Sequence, residues 1–179
     1  MNLNPFPELI TERLQLRQMT LSDCAEVLDL RSDETLNQYI SRPKSRQITD
    51  EDGSKAFIES INEKISRNEI VFWSITLKTS PKTIGTICLW NFNDADSTAE
   101  IGYDLGLSYQ QKGIMNEALD GVIQYGFSDL KLAKIVAFTH GGNAPSRKLL
   151  IRNGFKLDAA RTDEGNANNV IFELKNSLL

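Results

Sequence analysis

The order of strand-like and helix-like hydrophobic patterns over residues 70–155 constrains the fold more than any other feature of this sequence. Segments 70–77 and 84–90 are rich in β-branched and aromatic residues, which is typical of strands. The stretch 78–83 between them reads KTSPKT, and its Ser-Pro turn predicts an antiparallel hairpin. A third strand is predicted over 98–105, after the turn-like sequence NDADS.

Helix and strand patterns alternate beyond the third strand. A helix is predicted over 113–130, where apolar residues recur at helical spacing, and a short strand over 134–139. A second helix is predicted to begin at Asn143, with Pro145 in its first turn, before a last strand over 170–175. A hairpin followed by this alternating unit predicts an α+β or α/β fold on one mixed sheet.

The N-terminal third predicts one strand and two helices. Residues 13–19 alternate leucine with polar side chains, as in a half-buried strand. Thr20, with Asp23 three residues later, predicts a capped helix. A longer amphipathic helix is predicted to open at Thr49. The polar stretch 31–47 between them predicts a loop with a short helix.

Length and composition exclude several classes of protein. The 179 residues fit one domain, spanning 1–179. A net charge of −4 disfavours nucleic acid as a partner, because its binders carry a basic excess. No run of about 18 apolar residues predicts a membrane span, and the first residues lack the pattern of a signal peptide. We therefore expect a cytoplasmic protein.

Cysteine and histidine are scarce. Cys24 and Cys88 share no CxxC spacing, which predicts reduced, buried thiols rather than a disulfide framework. His140 is the single histidine in the chain, and this disfavours both a histidine-based zinc site and a Ser-His-Asp triad. No metal is therefore expected.

The clearest chemical signal is the loop before the 113–130 helix. Gln110, Gln111 and Lys112 stand directly before Gly113, at the predicted helix start. The first N–H groups of a helix have no intrahelical acceptor, and a glycine turn there can aim several of them at one anion. Lys112 can add a cation. A helix that merely begins with glycine is the simpler alternative, and neither GxxxxGK[ST] nor GxGxxG occurs to indicate ATP or NAD.

Three blocks in order, AEIGYDL, YQQKGIMNEAL and NAPSRKLLIRNGF, together with the earlier TERLQLRQM, carry a family resemblance. They resemble the GCN5-related N-acetyltransferase (GNAT) superfamily, in its ribosomal-protein N-acetyltransferase-like branch, and the likeness covers roughly residues 11–175. The superfamily's phosphate loop, [QR]-x-x-G-x-[GA], matches residues 110–115, with Met115 in the last position as is usual in this branch. The resemblance implies one domain with a mixed, mostly antiparallel sheet of six to seven strands flanked by helices. It also implies a V-shaped splay between strands 98–105 and 134–139.

The resemblance also implies acetyl-coenzyme A as co-substrate. Backbone amides of the loop would hold its pyrophosphate, and these belong to Gln111, Lys112, Gly113, Ile114, Met115 and Asn116. Pantetheine would run along the backbone of Leu105 and Leu107, and Asn143 and Ser146 would line the far side. Helix capping is the simpler role for Asn143 and Ser146.

For catalysis, the resemblance points to Glu100 as the general base. A solvated strand carboxylate is the alternative, and Asp104 and His140 are weaker rivals. Many relatives place a tyrosine general acid seven residues after the asparagine of the third block, but this chain has Leu150 there. Ser146 is the candidate replacement, unless the thiolate leaves without help.

The acceptor amine is not readable from the sequence. Tyr39 and Arg42 are candidate substrate contacts, because the family builds part of its acceptor cleft there; Trp73, Trp90 and Phe92 are expected in the core. A protein N-terminus of the ribosomal-protein type and a small amine, such as a polyamine or an antibiotic, are both expected acceptors. An acyl-CoA-binding module without turnover, or another α+β fold whose loop binds nothing, are the competing hypotheses. Both monomer and homodimer remain open.

Overall fold

A computed structural model describes residues 2–40 and 47–176 and shows an eight-stranded sheet with helices on both faces. The strands are β1 Leu9–Ile10, β2 Leu14–Gln18, β3 Val71–Leu77, β4 Ser80–Asn93, β5 Thr98–Leu105, β6 Lys134–His140, β7 Lys156–Leu157 and β8 Asn169–Lys175. The helices are α1 Cys24–Ser32, α2 Glu34–Asn37, α3 Glu51–Ser66, α4 Ile114–Ser128 and α5 Ala144–Arg152. None of the helices in these described ranges is long and apolar enough to cross a membrane.

The sheet is mixed and mostly antiparallel, as predicted. Its order is β1-β2-β3-β4-β5-β6-β8-β7, and β5 with β6 is the parallel pair. The predicted six to seven strands become eight because β1 and β7 add one short strand at each edge. Each has only two residues, too few to show the alternation by which a strand is read from sequence.

The predicted splay separates β5 from β6. These strands pair only through Thr98↔Lys134, Ala99↔Ile135 and Glu100↔Val136. Beyond Glu100, β5 continues alongside β4 as far as Leu105. β6 meanwhile stays paired with β8 as far as His140. The two parallel strands therefore diverge at their carboxyl ends and leave a V-shaped opening.

Helices cover the two faces of the sheet differently. Trp73 on β3 lies against Tyr125 of α4, with ring centroids 5.6 Å apart. The neighbouring residue Phe72 points to the other face and meets Phe57 of α3 at 5.9 Å. Thr139 on β6 bonds Ser146 of α5, and register places Thr139 on the face of Trp73. We call the side of α4 and α5 the donor face, and the side of α1 and α3 the acceptor face.

Local signals placed most boundaries to within one or two residues. The longer amphipathic helix begins at Glu51, two residues after Thr49, because Asp50 supplies the cap by accepting a hydrogen bond from the Gly53 N–H at 2.8 Å. The predicted antiparallel hairpin is confirmed, but its turn is shorter than 78–83: Leu77 already pairs with Ser80, so β4 is longer than expected. The adjacent register shifts accommodate Pro81, which has no N–H to donate to the ladder.

The aromatic residues of the hairpin do not share one environment. Trp73 is fully buried and Phe92 packs against the core, as expected. Trp90 is 46% exposed, so its predicted place in the core is wrong. The side chain of Trp90 points away from that of its neighbour Leu89, which faces the core. Trp90 pairs with Glu100 on the acceptor face. Both cysteines are free thiols, with Cys24 buried and Cys88 partly buried.

A buried ion pair ties the start of α1 to the sheet. The Asp23 carboxylate accepts hydrogen bonds from Arg17 Nη2 at 2.6 Å, Thr83 Oγ1 at 2.8 Å and the Thr20 N–H at 2.8 Å. Burial alone would raise the pKa of Asp23, but these donors outweigh it and lower that pKa. The charged carboxylate therefore stabilises the fold above its unfolded pKa, and this contribution is lost as pH falls through the folded pKa.

We expect Asp23→Asn to lower the free energy of unfolding at neutral pH by about 2–4 kcal/mol, because it leaves Arg17 without its counter-ion. Urea unfolding at pH 7 and near pH 3 measures the effect. The gap between wild type and variant should narrow at the lower pH, because the Asp23 carboxylate of the unfolded wild type, with its ordinary pKa of 3.8, is mostly protonated there. Asp29→Asn, on the exposed side of α1, is the matched control and should change little. An equal gap at both pH values would contradict the prediction.

Candidate active site

The loop before α4 turns through two left-handed residues. Gln111 has φ of 60° and Gly113, the N-cap of α4, has φ of 74°. Glycine adopts this region without steric cost, whereas other residues rarely do. Gly113 therefore satisfies a backbone requirement, in addition to leaving room for a close ligand.

The turn leaves a group of backbone amides without acceptors. From Gln111 through Asn116, no N–H group bonds another residue of the described chain, and the first such bond runs from Glu117 N to Gly113 O at 3.1 Å. The side chains of Ile114 and Met115 are buried, so these residues offer the loop only their backbone. Converging unpaired N–H groups at a helix start attract an anion. The amides without acceptors lie where the sequence predicted them, and anion binding by them stays a prediction.

A side-chain bridge from the N-terminal segment holds this loop in place. Arg13 Nε lies 2.6 Å from Glu117 Oε2, and Arg13 Nη1 donates to the Lys112 carbonyl at 3.0 Å. Thr11 Oγ1 donates to the other Glu117 oxygen at 2.5 Å. Burial would raise the pKa of Glu117, but the Thr11 and Arg13 donors lower it. The carboxylate thus links TERL and NEAL, two sequence motifs whose contact the sequence alone did not suggest.

Arg13 brings a cationic group close to Gly113. A Cβ built on Gly113 would lie 3.4 Å from Arg13 Nη2, and the Arg13 side chain is 45% exposed. Lys112, predicted as a cation for the loop, donates its Nζ to the Ser108 carbonyl at 2.7 Å. Its side chain therefore folds back along the loop.

The residues expected along pantetheine lie where β5 ends. Leu105 is buried, and its carbonyl accepts a bond from Gln110 Nε2 at 2.9 Å. The Leu107 carbonyl accepts one from the Gln110 N–H at 3.2 Å. Gln110 therefore fixes the backbone that joins β5 to the loop. On α4, Asn116 Oδ1 accepts a bond from Asn153 Nδ2.

Three hydroxyl groups meet in the splay on the donor face. Ser146 Oγ lies 2.9 Å from the Tyr103 hydroxyl and accepts a bond from Thr139 Oγ1 at 3.0 Å. Asn143 caps α5 by accepting a bond from the Ser146 N–H at 3.1 Å. Leu150, in the position of the usual tyrosine, is fully buried and cannot donate a proton.

Glu100 lies at the vertex of the splay on the acceptor face, because Glu100↔Val136 is the last parallel pair. Its Oε1 accepts a hydrogen bond from Asn91 Nδ2 at 2.6 Å. Burial raises the pKa of Glu100, and the nearby Asp163 carboxylate raises it further, against the Asn91 bond. A raised pKa suits a general base. A groove of about 610 Å³ opens here, lined also by Phe138.

The two alternative candidates for the general base, Asp104 and His140, have other hydrogen-bond partners. Asp104 Oδ1 accepts bonds from both the N–H and the hydroxyl of Thr86, at 3.0 and 2.7 Å. His140 Nδ1 accepts the Gly142 N–H at 3.0 Å, so the proton of the neutral ring lies on Nε2. Tyr39 packs on the His140 ring with centroids 5.3 Å apart. Arg42 lies outside the described residues.

The predicted site residues thus divide between two faces. The amide loop and Ser146 lie on the donor face, whereas Glu100 and Tyr39 lie on the acceptor face, with the splay between them. Sequence reasoning missed Arg13, Glu117, Tyr103 and Thr139. Within 2–40 and 47–176, no three His, Cys, Asp or Glu residues are grouped to hold a metal ion.

Comparison with known proteins agrees with this geometry. The acetyltransferase (GNAT) domain profile matches residues 13–156. An uncharacterized N-acetyltransferase, p20 of Bacillus licheniformis, is 35% identical over 156 residues, covering 87% of this chain and 85% of p20. The ribosomal-protein-serine acetyltransferase of Escherichia coli K12 is 35% identical over 75 residues, 42% of each chain. The microcin C7 self-immunity acetyltransferase MccE, solved with acetyl-CoA and AMP, superposes with a TM-score of 0.76 at 25% identity, covering 92% of this chain and 93% of MccE.

Proposed function

We propose an acceptor and residue roles from one premise: this chain belongs to the acetyltransferase (GNAT) family and is an acetyl-CoA-dependent N-acetyltransferase. The proposed acceptor is a protein N-terminal amine of the ribosomal-protein serine or alanine type. The main observation behind the proposed residue roles is a row of unpaired amides at the start of α4, beside a splayed pair of strands. The likeness to a ribosomal-protein-serine acetyltransferase supports this choice of acceptor.

The chemistry of amines favours an N-terminal acceptor over a lysine side chain. The reaction needs a neutral nitrogen, and at pH 7 an α-amine of pKa ~7.7–8.0 is roughly 10–20% neutral. A lysine of pKa ~10.4 is neutral to less than about 0.1%. An α-amine therefore demands much less of a general base.

The proposed roles on the donor face follow the contacts of the loop. Amides 111–116 bind the diphosphate, with Arg13 holding the loop and adding positive charge. Pantetheine lies along Leu105 and Leu107, and a backbone N–H near Leu105 polarises the thioester carbonyl. Asn143 and Ser146 line the opposite wall from α5.

On the acceptor face, Glu100 takes the amine proton directly or through a water. The neutral amine nitrogen bonds the carbonyl carbon as it loses this proton, and the carbon–sulfur bond breaks with its electron pair on sulfur. Tyr39 and Arg42 are proposed contacts for the acceptor. The acetyl donor and the amine are held on opposite sides of one opening. This positioning supplies much of the rate acceleration.

A peptide panel tests the acceptor class. Peptides that begin with Ser or Ala are assayed by thiol release, beside versions with a blocked α-amine and an internal lysine, and beside spermidine as a small amine. We expect release with the free N-termini alone. Release with spermidine only would assign a small-molecule acceptor, and acetyl-CoA binding without release would indicate a binding module. Mass spectrometry of protein N-termini, in cells with and without the protein, then identifies the natural acceptor.

A further inference from the structure

A groove of about 580 Å³ runs between α4 and the chain segment that contains β1, outside the splay. It is acidic: no lysine, arginine or histidine of the described chain lines it, whereas five carboxylates do, those of Glu8, Glu12, Glu117, Asp120 and Asp129. Arg13 pairs with Glu117. The other four carboxylates form no ion pair with the residues that the structure describes. The groove therefore attracts positive charge.

Tyr125 adds a polar group that has no partner. Its side chain lines the groove and is only 9% exposed, and its ring packs edge-on against Trp73. Burial, together with the Asp129 carboxylate, raises the pKa of Tyr125 to about 12. The hydroxyl group thus stays protonated near a groove carboxylate, and within the described ranges it forms no hydrogen bond. A hydroxyl group this deeply buried normally has a partner, so this one points to a ligand in the groove.

The spacing of the carboxylates suits a chain of separated cations. A single metal ion does not fit, because no three His, Cys, Asp or Glu side chains in the described part of the chain are grouped to hold one. Asp120 and Asp129 are nine positions apart, which is about 13 Å along a helix. Side chains four positions apart on one side of an extended peptide are separated by a similar ~13–14 Å. A peptide with basic residues at alternate positions therefore matches the groove.

The free edge of β1 favours a peptide over a small polycation. β1 is the first strand in the sheet order and pairs with β2 on its inner side. Such an edge can add an extended peptide through backbone hydrogen bonds. Exposed ion pairs alone contribute little, because water and salt screen them. Charges on an edge strand also discourage unwanted pairing, but that role explains neither the carboxylates of α4 nor the unpartnered Tyr125.

We propose that this groove binds an extended, lysine- or arginine-bearing segment of a basic partner protein, which adds as a strand to the free edge of β1. The cationic side chains of the segment pair with the four carboxylates that have no ion pair. The Tyr125 hydroxyl group takes one further hydrogen bond from or to the segment. The inference goes beyond the proposed function and does not depend on it, because the groove lies outside the splay.

Fluorescence anisotropy tests the inference with a labelled peptide of alternating threonine and lysine, about eight residues long and blocked at both ends. We expect binding that weakens as salt rises, and no binding of the matching threonine–glutamate peptide. The double variant Asp120→Asn/Asp129→Asn should bind the basic peptide about tenfold more weakly, the scale of two exposed ion pairs. Tyr125→Phe should lose about threefold to tenfold. Unchanged acetyl-CoA affinity shows that each variant is folded.

The matched control is Glu34→Gln/Glu59→Gln, which removes the same charge from exposed positions of α2 and α3. This variant should bind the basic peptide as the wild type does. If the control lost as much affinity as Asp120→Asn/Asp129→Asn, or if the groove variant lost none, the groove would not be the binding site. Glu117 is left unchanged because it holds the loop before α4 through Arg13.

Backbone methylation separates strand addition from purely ionic binding. Successive N–H groups of an extended peptide point to opposite edges. N-methyl groups on the threonines and on the lysines therefore block different edges, and one methylated peptide should bind about tenfold more weakly than the other. Equal affinity of the two would overturn strand addition. Spermine that bound as tightly as the basic peptide would replace the inference with a small-polycation site. Thiol release with N-terminal peptides is measured separately, so failure here leaves the proposed function intact.

Discussion

Gly113→Glu is expected to weaken acetyl-CoA binding by about 100-fold or more. The substitution places a carboxylate where the diphosphate is proposed to sit, among the unpaired amides that begin α4. Two like charges ~4 Å apart repel by about 4 kcal/mol at the effective dielectric constant of a protein surface. Solvent at this exposed loop reduces that figure. The new side chain also begins 3.4 Å from Arg13 Nη2 and competes with Glu117 for it.

Gly113→Gln separates charge from backbone strain. It has the same size and carries the same cost of a non-glycine residue at φ of 74°, about 1–3 kcal/mol, but adds no charge. Calorimetric titration with acetyl-CoA should rank wild type above Gly113→Gln, and Gly113→Glu last. The gap between the two variants should shrink at high salt, because screening weakens the repulsion. Equal affinity of wild type and Gly113→Glu would remove the loop from the coenzyme site.

Glu100→Gln is expected to lower turnover by about 100-fold or more, the usual contribution of a general base. The carboxylate works as a base only when ionised, so wild-type kcat/KM should fall as pH drops through the Glu100 pKa. Burial raises the pKa of Glu100 above the ordinary 4.5. The fall in kcat/KM that Glu100 causes at low pH, which we call the acid limb, therefore begins closer to pH 7. The amine acceptor, with a pKa of ~7.7–8.0, causes a fall in kcat/KM at low pH in both proteins. The further fall that Glu100 adds should be absent in Glu100→Gln, while acetyl-CoA affinity stays unchanged. A full pH–rate profile of both proteins measures this.

Asp104→Asn is the control for Glu100, since Asp104 lies on the same face of β5 but bonds Thr86. It should keep the acid limb and most of the turnover. A loss of less than about threefold in Glu100→Gln would reduce Glu100 to a structural carboxylate. That outcome would leave amine deprotonation to solvent, which an α-amine tolerates far better than a lysine does.

Local patterns in the sequence were sufficient for most elements and for the loop before α4. The Asn143 cap forms within α5 itself, and Gly113 sits at the start of α4. These features depend on residues nearby in the sequence, within one helical turn or a few positions along a strand. Periodicity and capping rules can therefore predict them. The two-residue strands and the early hairpin turn were not predicted, because such short segments contain too few residues to show a period.

The tertiary structure decided which distant residues share a site. The bridge from Arg13 to Glu117 spans 104 positions, and the bond from Tyr103 to Ser146 spans 43. Such contacts depend on strand register and on where β5 and β6 separate, neither of which alters the local pattern of either strand. For the same reason Trp90 is exposed beside Glu100, although its sequence context resembles that of buried Trp73. Sequence alone determined the loop that is proposed to hold a diphosphate, and the splayed sheet determined which hydroxyl groups meet between its strands.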